Sequence, residues 1–516
     1  MAGLRHEVWR VVQLAIPVQG ASILSYSINL VGLAFIGRLG AARLGEAMLA
    51  MSFYNVSGMA VVVGFSGVLE TTCGQAYGAG AYRAVGLAYQ RGVLLALMLC
   101  ALVLASWTLI EPLMLLAGQQ PNMAHAAARF LRLASPALVF ASQVGLCSRY
   151  LNAQGYPGAS TTAALAAVPV APLANWLLIT RMGLGLDGAA LALVVVHGTY
   201  LAVLAGLTHR HHLATARTGK LTWHGWHADA LRGWGPSFRL GVPSMLMGFA
   251  EWAAFEACVI MAGWLPRPEI SLGVMGLTMT VATALYMIPG GFSTAASIRV
   301  SNALGANLPR AAPLAAAAAF ASGACIQMCT ASGVFFFAPF LARVFSHDPE
   351  VVAATAPLLR FVAVAVLPDG MNAVSGGIMR GAGRPDVGAV ANLVAFWMLG
   401  LPLAYHLAFT KHWEVAGLWM GLLSGSILQA VVLCTFLLRL DWRVEAQRAA
   451  RLNSQHAAAL REVLPALGSV EAEAEAARVA RNSGAGSSSS GQARGGNIQL
   501  PESPSETTAL LQGQRP

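Results

Sequence analysis

Three carboxylic acids lie in apolar stretches that are long enough to cross a lipid bilayer. Glu251 and Glu256 share one stretch, residues 240–263, and Asp369 follows Pro368 in another. About 20 apolar residues suffice for a membrane-spanning helix, and a charge near its centre costs at least about 2.5 kcal/mol. An acid at that depth usually faces a cavity, where it can bind a proton or a cation, so the pattern indicates proton-coupled transport. The alternative for each acid is a structural role as a buried, hydrogen-bonded carboxyl.

The residues around these acids extend the predicted site. Glu251 and Glu256 are five residues apart, and at 100° per residue their side chains point about 140° apart, so both cannot face one pocket. Trp252 and Phe255 flank them and can stack on a flat cation. The predicted proton- and substrate-binding residues are Glu251, Asp369, Glu256, Tyr286, Trp252 and Asn55. Glu70, near the end of its span, is interpreted as a solvated residue, and no metal site is predicted.

The composition is that of a polytopic membrane protein. Of 516 residues, 56% are hydrophobic and 10% are charged, against roughly 25% charged residues in soluble domains. The net charge of +10 comes from basic residues scattered singly through short connections, without the basic, aromatic-lined face of a nucleic-acid-binding module. No Walker A sequence is present, which argues against an ATP-driven pump on this chain. Nucleic acid is therefore not an expected partner, and no cofactor is expected beyond a coupling ion.

Twelve membrane-spanning helices are predicted, at residues 11–36, 47–69, 86–110, 126–148, 160–181, 187–207, 238–264, 271–297, 311–336, 351–377, 387–409 and 415–439. A connection rich in His and Arg, residues 209–237, separates an N-lobe (1–208) from a C-lobe (238–440). Lys and Arg are more frequent at the termini and in the even-numbered connections than in the odd-numbered ones. Both termini are therefore predicted to be cytoplasmic.

The two predicted lobes repeat one another. Residues 14–17 (LAIP) resemble residues 240–243 (LGVP), and residues 75–79 (QAYGA) resemble residues 302–306 (NALGA). Further pairs follow in the same order at a nearly constant offset. An even number of spans per repeat gives both lobes the same orientation, with an axis along the membrane normal. The expected fold is an all-α polytopic membrane protein, with twelve helices in two pseudo-symmetric six-helix lobes around a central cleft.

Residues 441–516 are predicted to form a cytoplasmic tail that is largely disordered. Its first part, residues 441–480, is charged and rich in Ala, Glu and Arg, which favours a helical extension, whereas residues 482–497 are rich in Ser and Gly. Glu506, Leu510 and Leu511 have the spacing of an acidic di-leucine signal, so sorting adaptors are candidate partners. The vacuolar or endosomal membrane and the plasma membrane are candidate locations, and a monomer is expected.

Four motifs make the chain similar to the multidrug and toxic compound extrusion (MATE) transporters, in particular to their eukaryotic branch. Residues 70–79 (ETTCGQAYGA) resemble its DTLCGQAYGA motif, residues 251–256 (EWAAFE) its EWWxYE motif, and residues 297–305 (SIRVSNALG) its STRVSNELG motif. Residues 376–385 (GGIMRGAGRP) resemble its GVxRGxGxQ motif, and the likeness extends over residues 7–440.

The resemblance implies antiport of a substrate against protons. The acidic pair that the eukaryotic branch carries in its C-lobe falls on Glu251 and Asp369. The second glutamate of the EWWxYE motif falls on Glu256, and the asparagine of its NVSG motif falls on Asn55.

The predicted function is that of a secondary active transporter, not an enzyme, which exports organic cations or other xenobiotics and metabolites from the cytosol. Protons, rather than sodium ions, are the expected coupling ion, and they compete with substrate for the C-lobe acids during alternating access. Ala253 and Phe255 replace the second tryptophan and the tyrosine of the family motif, so the substrate range of relatives is not transferred to this chain. The alternatives are an exporter of organic anions, flavonoids or citrate from the same family, and a lipid-linked flippase of related architecture.

Overall fold

The computed structural model describes residues 2–116, 119–345 and 349–463, and the regular structure within these ranges is helical. Twelve of the helices are long and apolar enough to cross a membrane. They are α1 (Ala2–Gly37), α2 (Arg43–Gly78), α3 (Tyr82–Trp107), α4 (Pro121–Ala153), α5 (Gly158–Arg181), α6 (Gly185–Ala216), α7 (Gly235–Ala262), α8 (Pro268–Gly305), α9 (Ala311–Phe345), α10 (Pro349–Ala382), α11 (Pro385–Thr410) and α12 (Glu414–Arg439). A further helix, α13 (Trp442–Val463), follows α12.

Three of the long helices contain π-helical turns. They lie at Tyr54–Met59 in α2, at Trp176–Arg181 in α5, and at Leu393–Gly400 and His406–Thr410 in α11. Such turns are rare and are frequently found at functional sites. The turn in α2 contains Asn55, which the sequence placed among the candidate site residues.

The predicted fold class is confirmed, but the connection between the lobes begins differently from the prediction. α6 continues to Ala216, so the predicted connection 209–237 begins with a helical extension. Residues 209–216 contain neither Gly nor Pro, and the chain leaves the helix before Gly219, which has a φ of 66°. The start of the predicted tail is helical, since α13 directly follows α12. The sorting motif of Glu506, Leu510 and Leu511 lies outside the described residues.

Each lobe has its own apolar core. Phe65, Leu69 and Tyr150 are fully buried in the N-lobe, and Phe396 and Trp419 are fully buried in the C-lobe. Helices in a membrane associate mainly through close packing of small residues, and many of the buried residues in both lobes are alanines. A further core joins Val11 and Ala15 of α1 to α8, α9 and α10 of the C-lobe.

The first helix of each lobe reaches across to the other lobe. We call the end of the bundle where α1 begins and α12 ends the termini end. Here Glu7 of α1 accepts two hydrogen bonds from Arg299 of α8, at 2.6 and 3.0 Å. Further along the bundle, the Ser244 hydroxyl of α7 donates to the Gly64 carbonyl of α2 at 3.1 Å. These contacts join the two lobes through the first helix of each.

Two glycines at matching positions of the repeat allow the lobes to touch backbone to backbone. A Cβ atom on Gly78 would lie 2.1 Å from the carbonyl oxygen of Asn302, and one on Gly305 would lie 2.0 Å from that of Gln75. The two contacts are reciprocal, as an isologous contact around a twofold axis requires. The repeated motifs that suggested two similar lobes are therefore the segments through which the lobes meet.

Candidate functional site

Glu251 is a half-buried acid of α7 that faces the interior of the C-lobe. Its Oε2 atom accepts a hydrogen bond of 3.1 Å from Asn392 Nδ2 on α11. The phenol of Tyr286, from α8, lies near the Glu251 carboxyl. The polar partners of this acid therefore come from two helices of the same lobe.

Asp369 is the second acid of the C-lobe, and only 7% of it is exposed. It lies close enough to Glu251 for the two carboxyl groups to interact electrostatically. Its Oδ1 atom is buried without a hydrogen-bond partner among the described residues, and Asn372, one turn further along α10, donates to the Ser426 carbonyl of α12 at 2.9 Å. The structure thus brings together Glu251, Asp369 and Tyr286, three of the sequence-predicted residues.

Glu256 faces in another direction, towards the N-lobe. Its carboxylate accepts a hydrogen bond from the hydroxyl of Ser52 on α2. Asn55 lies three residues after Ser52 and is exposed. The divergence expected for two acids five residues apart on a helix therefore separates Glu251, inside the C-lobe, from Glu256, at the contact between the lobes.

The two aromatic residues beside these acids have different surroundings. Trp252 is 42% exposed. Phe255 packs against the rings of Phe396 and Trp419, with ring centroids 5.8 and 6.4 Å away. Phe255 is therefore occupied by packing within the C-lobe core, which leaves Trp252 as the accessible aromatic residue of this segment.

Sequence reasoning missed the uncharged polar residues that surround the C-lobe acids. Asn392, Asn372, Ser426 and Gln429 are all buried, and each contributes to the hydrogen bonds on α10, α11 and α12. Their signal in the sequence is an amide or hydroxyl group inside an apolar span. That signal is weak because such groups commonly bond between helices without any further role.

Glu70 is not the solvated residue that its position near the end of a span suggested. It is 7% exposed, and its Oε1 and Oε2 atoms accept hydrogen bonds from Arg149 Nε at 3.1 Å and from Arg380 Nε at 2.8 Å. Arg149 belongs to α4 of the N-lobe and Arg380 to α10 of the C-lobe. Glu70 therefore forms a buried ion-pair bridge between the lobes, with one carboxylate shared by two guanidinium groups.

Arg380 connects this bridge to the acidic site. Its second guanidinium nitrogen donates to the Ser293 hydroxyl at 3.1 Å. The same guanidinium is close enough to Glu251 and Tyr286 to interact with both electrostatically. A change of charge at Glu251 therefore acts on a residue that also holds the two lobes together.

The described part of the chain contains no group of three or more His, Cys, Asp or Glu side chains that could hold a metal ion. The histidines at the end of α6 pack against aromatic residues instead. His212 Nε2 lies 3.0 Å from the Tyr150 hydroxyl, and its ring stacks on Trp223. The His211 ring stacks on Tyr156 with the ring centroids 4.8 Å apart.

Comparison with known sequences finds the same family in both lobes. The MatE family model matches residues 17–177 and 243–406. Protein DETOXIFICATION 3 of Arabidopsis thaliana is 32% identical over 452 residues, which cover 86% of this chain and 92% of the relative. Multidrug and toxin extrusion protein 1 of Oryctolagus cuniculus is 32% identical over 449 residues, which cover 87% of this chain and 78% of the relative.

Solved structures agree with the sequence relatives. The crystal structure of the eukaryotic MATE transporter AtDTX14 has a TM-score of 0.82 at 30% identity and covers 87% of this chain and 100% of that one. A MOP superfamily transporter from Pyrococcus furiosus shares the fold, with a TM-score of 0.75 at 16% identity over 86% of this chain and 96% of that one. The chain belongs to the MatE family. It is a multi-pass membrane transporter of small molecules rather than an enzyme.

Proposed function

We propose that this chain is a proton-coupled antiporter that exports organic cations from the cytosol by alternating access. The supporting observation is the position of Glu251, on a membrane-spanning helix, inside the C-lobe and beside a second acid, Asp369. Two neighbouring carboxylates on membrane-spanning helices repel each other, and a bound proton or a bound cation relieves that repulsion. Protons and cations are therefore alternative ligands of one acidic site.

Competition at this site couples the movement of protons in one direction to the movement of the organic cation in the other. When the cleft faces the outside or the lumen, a proton binds Glu251 and removes the electrostatic attraction that holds the cation, which then leaves. When the cleft faces the cytosol, the proton dissociates and the carboxylate binds the next cation. Linkage requires each ligand to lower the affinity of the other by the same factor.

The contacts between the lobes act as gates in this cycle. The Glu70–Arg380 ion pair and the reciprocal glycine contacts close the termini end. We assign the termini end to the cytoplasm because Lys and Arg are concentrated in the connections on that side. In this assignment, the described conformation is closed towards the cytosol. The change to the cytosol-facing conformation must then break the Glu70–Arg380 pair.

The substrate class follows from the charge of the site. Carboxylates attract cations, and exposed Trp252, next to Glu251, offers an aromatic face on which a flat cation can stack. The names of the relatives, which refer to multidrug and toxin extrusion and to detoxification, support xenobiotics as substrates, and the acids favour cations among them. The acids do not favour the export of citrate or other organic anions.

The test is transport by the purified full-length chain in proteoliposomes. Tetraethylammonium is a suitable probe because its charge does not change with pH. We expect its uptake to be driven by an acidic interior and to stop when nigericin and potassium collapse the pH gradient. Uptake that follows a sodium gradient at equal pH on both sides would contradict proton coupling. Uptake of citrate at a rate equal to that of tetraethylammonium would contradict the proposed substrate class.

We propose that both termini are cytoplasmic and that a monomer is sufficient for transport. The distribution of Lys and Arg supports the orientation. Epitope tags at each end of the chain should bind antibody only after the cell membrane is permeabilised. Binding of antibody to intact cells would contradict the orientation. The same tagged chain, with and without Leu510 and Leu511, distinguishes the vacuolar or endosomal membrane from the plasma membrane.

A further inference from the structure

A chain of two buried amides leads from α12 to Glu251. Gln429 Nε2 on α12 donates to Asn392 Oδ1 at 2.6 Å. Asn392 Nδ2 on α11 in turn donates to Glu251 Oε2 at 3.1 Å and to the Met247 carbonyl of α7 at 2.7 Å. Asn392 is 0% exposed and Gln429 is 3% exposed. Water therefore does not compete for the bond between the two amides.

The Met247 carbonyl fixes the direction of the hydrogen bonds between these two amides. The Met247 carbonyl can only accept a hydrogen bond, so the Asn392 atom that faces it must be the NH2 group. The Asn392 oxygen then faces Gln429, which donates to it. Because neither amide titrates, Asn392 presents a donor to Glu251 at every pH. A flipped Asn392 would place its oxygen against two acceptors and lose these bonds.

A second side chain of α11 strengthens this arrangement. Asn392 directly precedes the π-helical turn Leu393–Gly400, and Trp397, within that turn, donates from Nε1 to the Ala250 carbonyl at 2.9 Å. α11 thus bonds to two carbonyls of α7 on the turn that leads into Glu251. The position of the acid relative to α11 is therefore held by contacts other than its own hydrogen bond.

Titratable and charged groups also face Glu251 from the helices around it. They are Tyr286 on α8, and Asp369 and Arg380 on α10. Asp369 can carry the same charge as Glu251, whereas Arg380 carries the opposite charge and Tyr286 is a neutral phenol. α11 and α12 contribute the uncharged Asn392 and Gln429. The two amides differ from Tyr286 and Asp369 in that they do not titrate, so their charge does not change with pH.

We infer that Asn392 and Gln429 are positioning residues for Glu251. Asn392 orients the carboxylate and stabilises its charged form by donation, and Gln429 keeps the Asn392 amide turned so that it can donate. The pair thereby sets the pH range in which Glu251 exchanges a proton for a cation. This inference rests on the proposed function, because it assigns the residues that tune the acid used for coupling.

The variants Asn392→Leu and Gln429→Met test this inference without adding charge. A hydrogen bond to a charged group contributes about 1.5–3 kcal/mol, and one pH unit corresponds to about 1.4 kcal/mol. We therefore expect the midpoint of the pH dependence of tetraethylammonium exchange to move upwards by about one unit in Asn392→Leu. A smaller shift in the same direction is expected in Gln429→Met, where Asn392 is free to turn away.

The matched control is Thr278→Val, which removes a different buried hydrogen bond of the C-lobe. The Thr278 hydroxyl accepts from Trp419 Nε1 at 2.9 Å and takes no part in the hydrogen bonds that join Gln429, Asn392 and Glu251. In Thr278→Val, the midpoint of the pH dependence of tetraethylammonium exchange should equal that of the wild type, even if the thermal stability of the variant falls. A purely structural role of the amides would lower the stability of all three variants and leave every midpoint unchanged.

An infrared titration of the protonated carboxyl band, assigned by its absence in Glu251→Gln, gives a second reading that needs no transport. A higher midpoint pH for the titration of this band in the two amide variants supports the inference. Midpoints equal to the wild type in both would overturn it, while pH-driven exchange that is lost in Glu251→Gln would still support the proposed function. Exchange that persists in Glu251→Gln would overturn the proposed function and this inference with it.

Discussion

Proton-driven exchange of tetraethylammonium should fall to the level of protein-free liposomes in Glu251→Gln. Glutamine has the size of glutamate and can still accept a hydrogen bond from Asn392 Nδ2, so the local packing is preserved. It cannot exchange a proton or carry a charge at any pH, and the competition between proton and cation disappears. We expect the free energy of unfolding to change by less than about 1 kcal/mol, because no cavity or unpaired buried group is created.

Glu111→Gln is the matched control for this prediction. Glu111 lies in the short helix Ile110–Leu116 and pairs with His125 at 3.0 Å and Arg132 at 3.4 Å. Partly exposed ion pairs of this kind contribute little stability, so this variant should transport as the wild type does. Exchange in Glu251→Gln at more than a small fraction of the wild-type rate would show that coupling resides elsewhere.

Loss of the buried ion-pair bridge should open the termini end of the cleft. In Glu70→Gln, Arg149 and Arg380 both lose their charged partner in a buried place, and breaking such a pair by removing one member costs about 3–5 kcal/mol. Part of that cost falls on the closed conformation alone. A difference of about 3 kcal/mol shifts the equilibrium between closed and open conformations by more than 100-fold. Hydrogen exchange of backbone amides should therefore rise in residues 68–78 and 297–305.

Asp187→Asn provides the comparison for that experiment. Asp187 pairs with Arg129 at 2.5 Å within the N-lobe, and both side chains are partly exposed. Its loss should leave hydrogen exchange at the termini end unchanged. Equal exchange of residues 68–78 in Glu70→Gln and in the wild type would show that the bridge does not hold the lobes together. Faster exchange over the whole chain would instead indicate general destabilisation.

Much of the fold could be predicted because the membrane restricts the structures that can cross it. An apolar segment of about 20 residues must be helical in lipid, so the number of spans followed from composition. The two similar lobes could be predicted from a repeated motif. The motif is repeated because Gly78 and Gly305 make equivalent close contacts with the backbone of the other lobe. The helical end of α6 was missed because it lies beyond the apolar run, where length and hydropathy give no signal.

The acids of the site could be predicted for a similar reason, since charge at mid-span is costly and rarely without a role. Asn392 and Gln429 could not be predicted, because the role of an uncharged amide depends on the groups that it contacts on neighbouring helices. Glu70 was misinterpreted because its partner Arg380 is distant in sequence and belongs to the other lobe. Contacts between lobes are properties of the tertiary structure, which no local pattern records.

Proton release on cation binding tests the central claim most directly. Purified protein in weakly buffered detergent solution, with a pH-sensitive dye, would receive tetraethylammonium at a pH where the site is protonated. Competition at one acidic site predicts that the wild type releases protons in proportion to the cation bound, and that Glu251→Gln releases none. Binding of the cation by the wild type without proton release, or equal release by both proteins, would contradict the account.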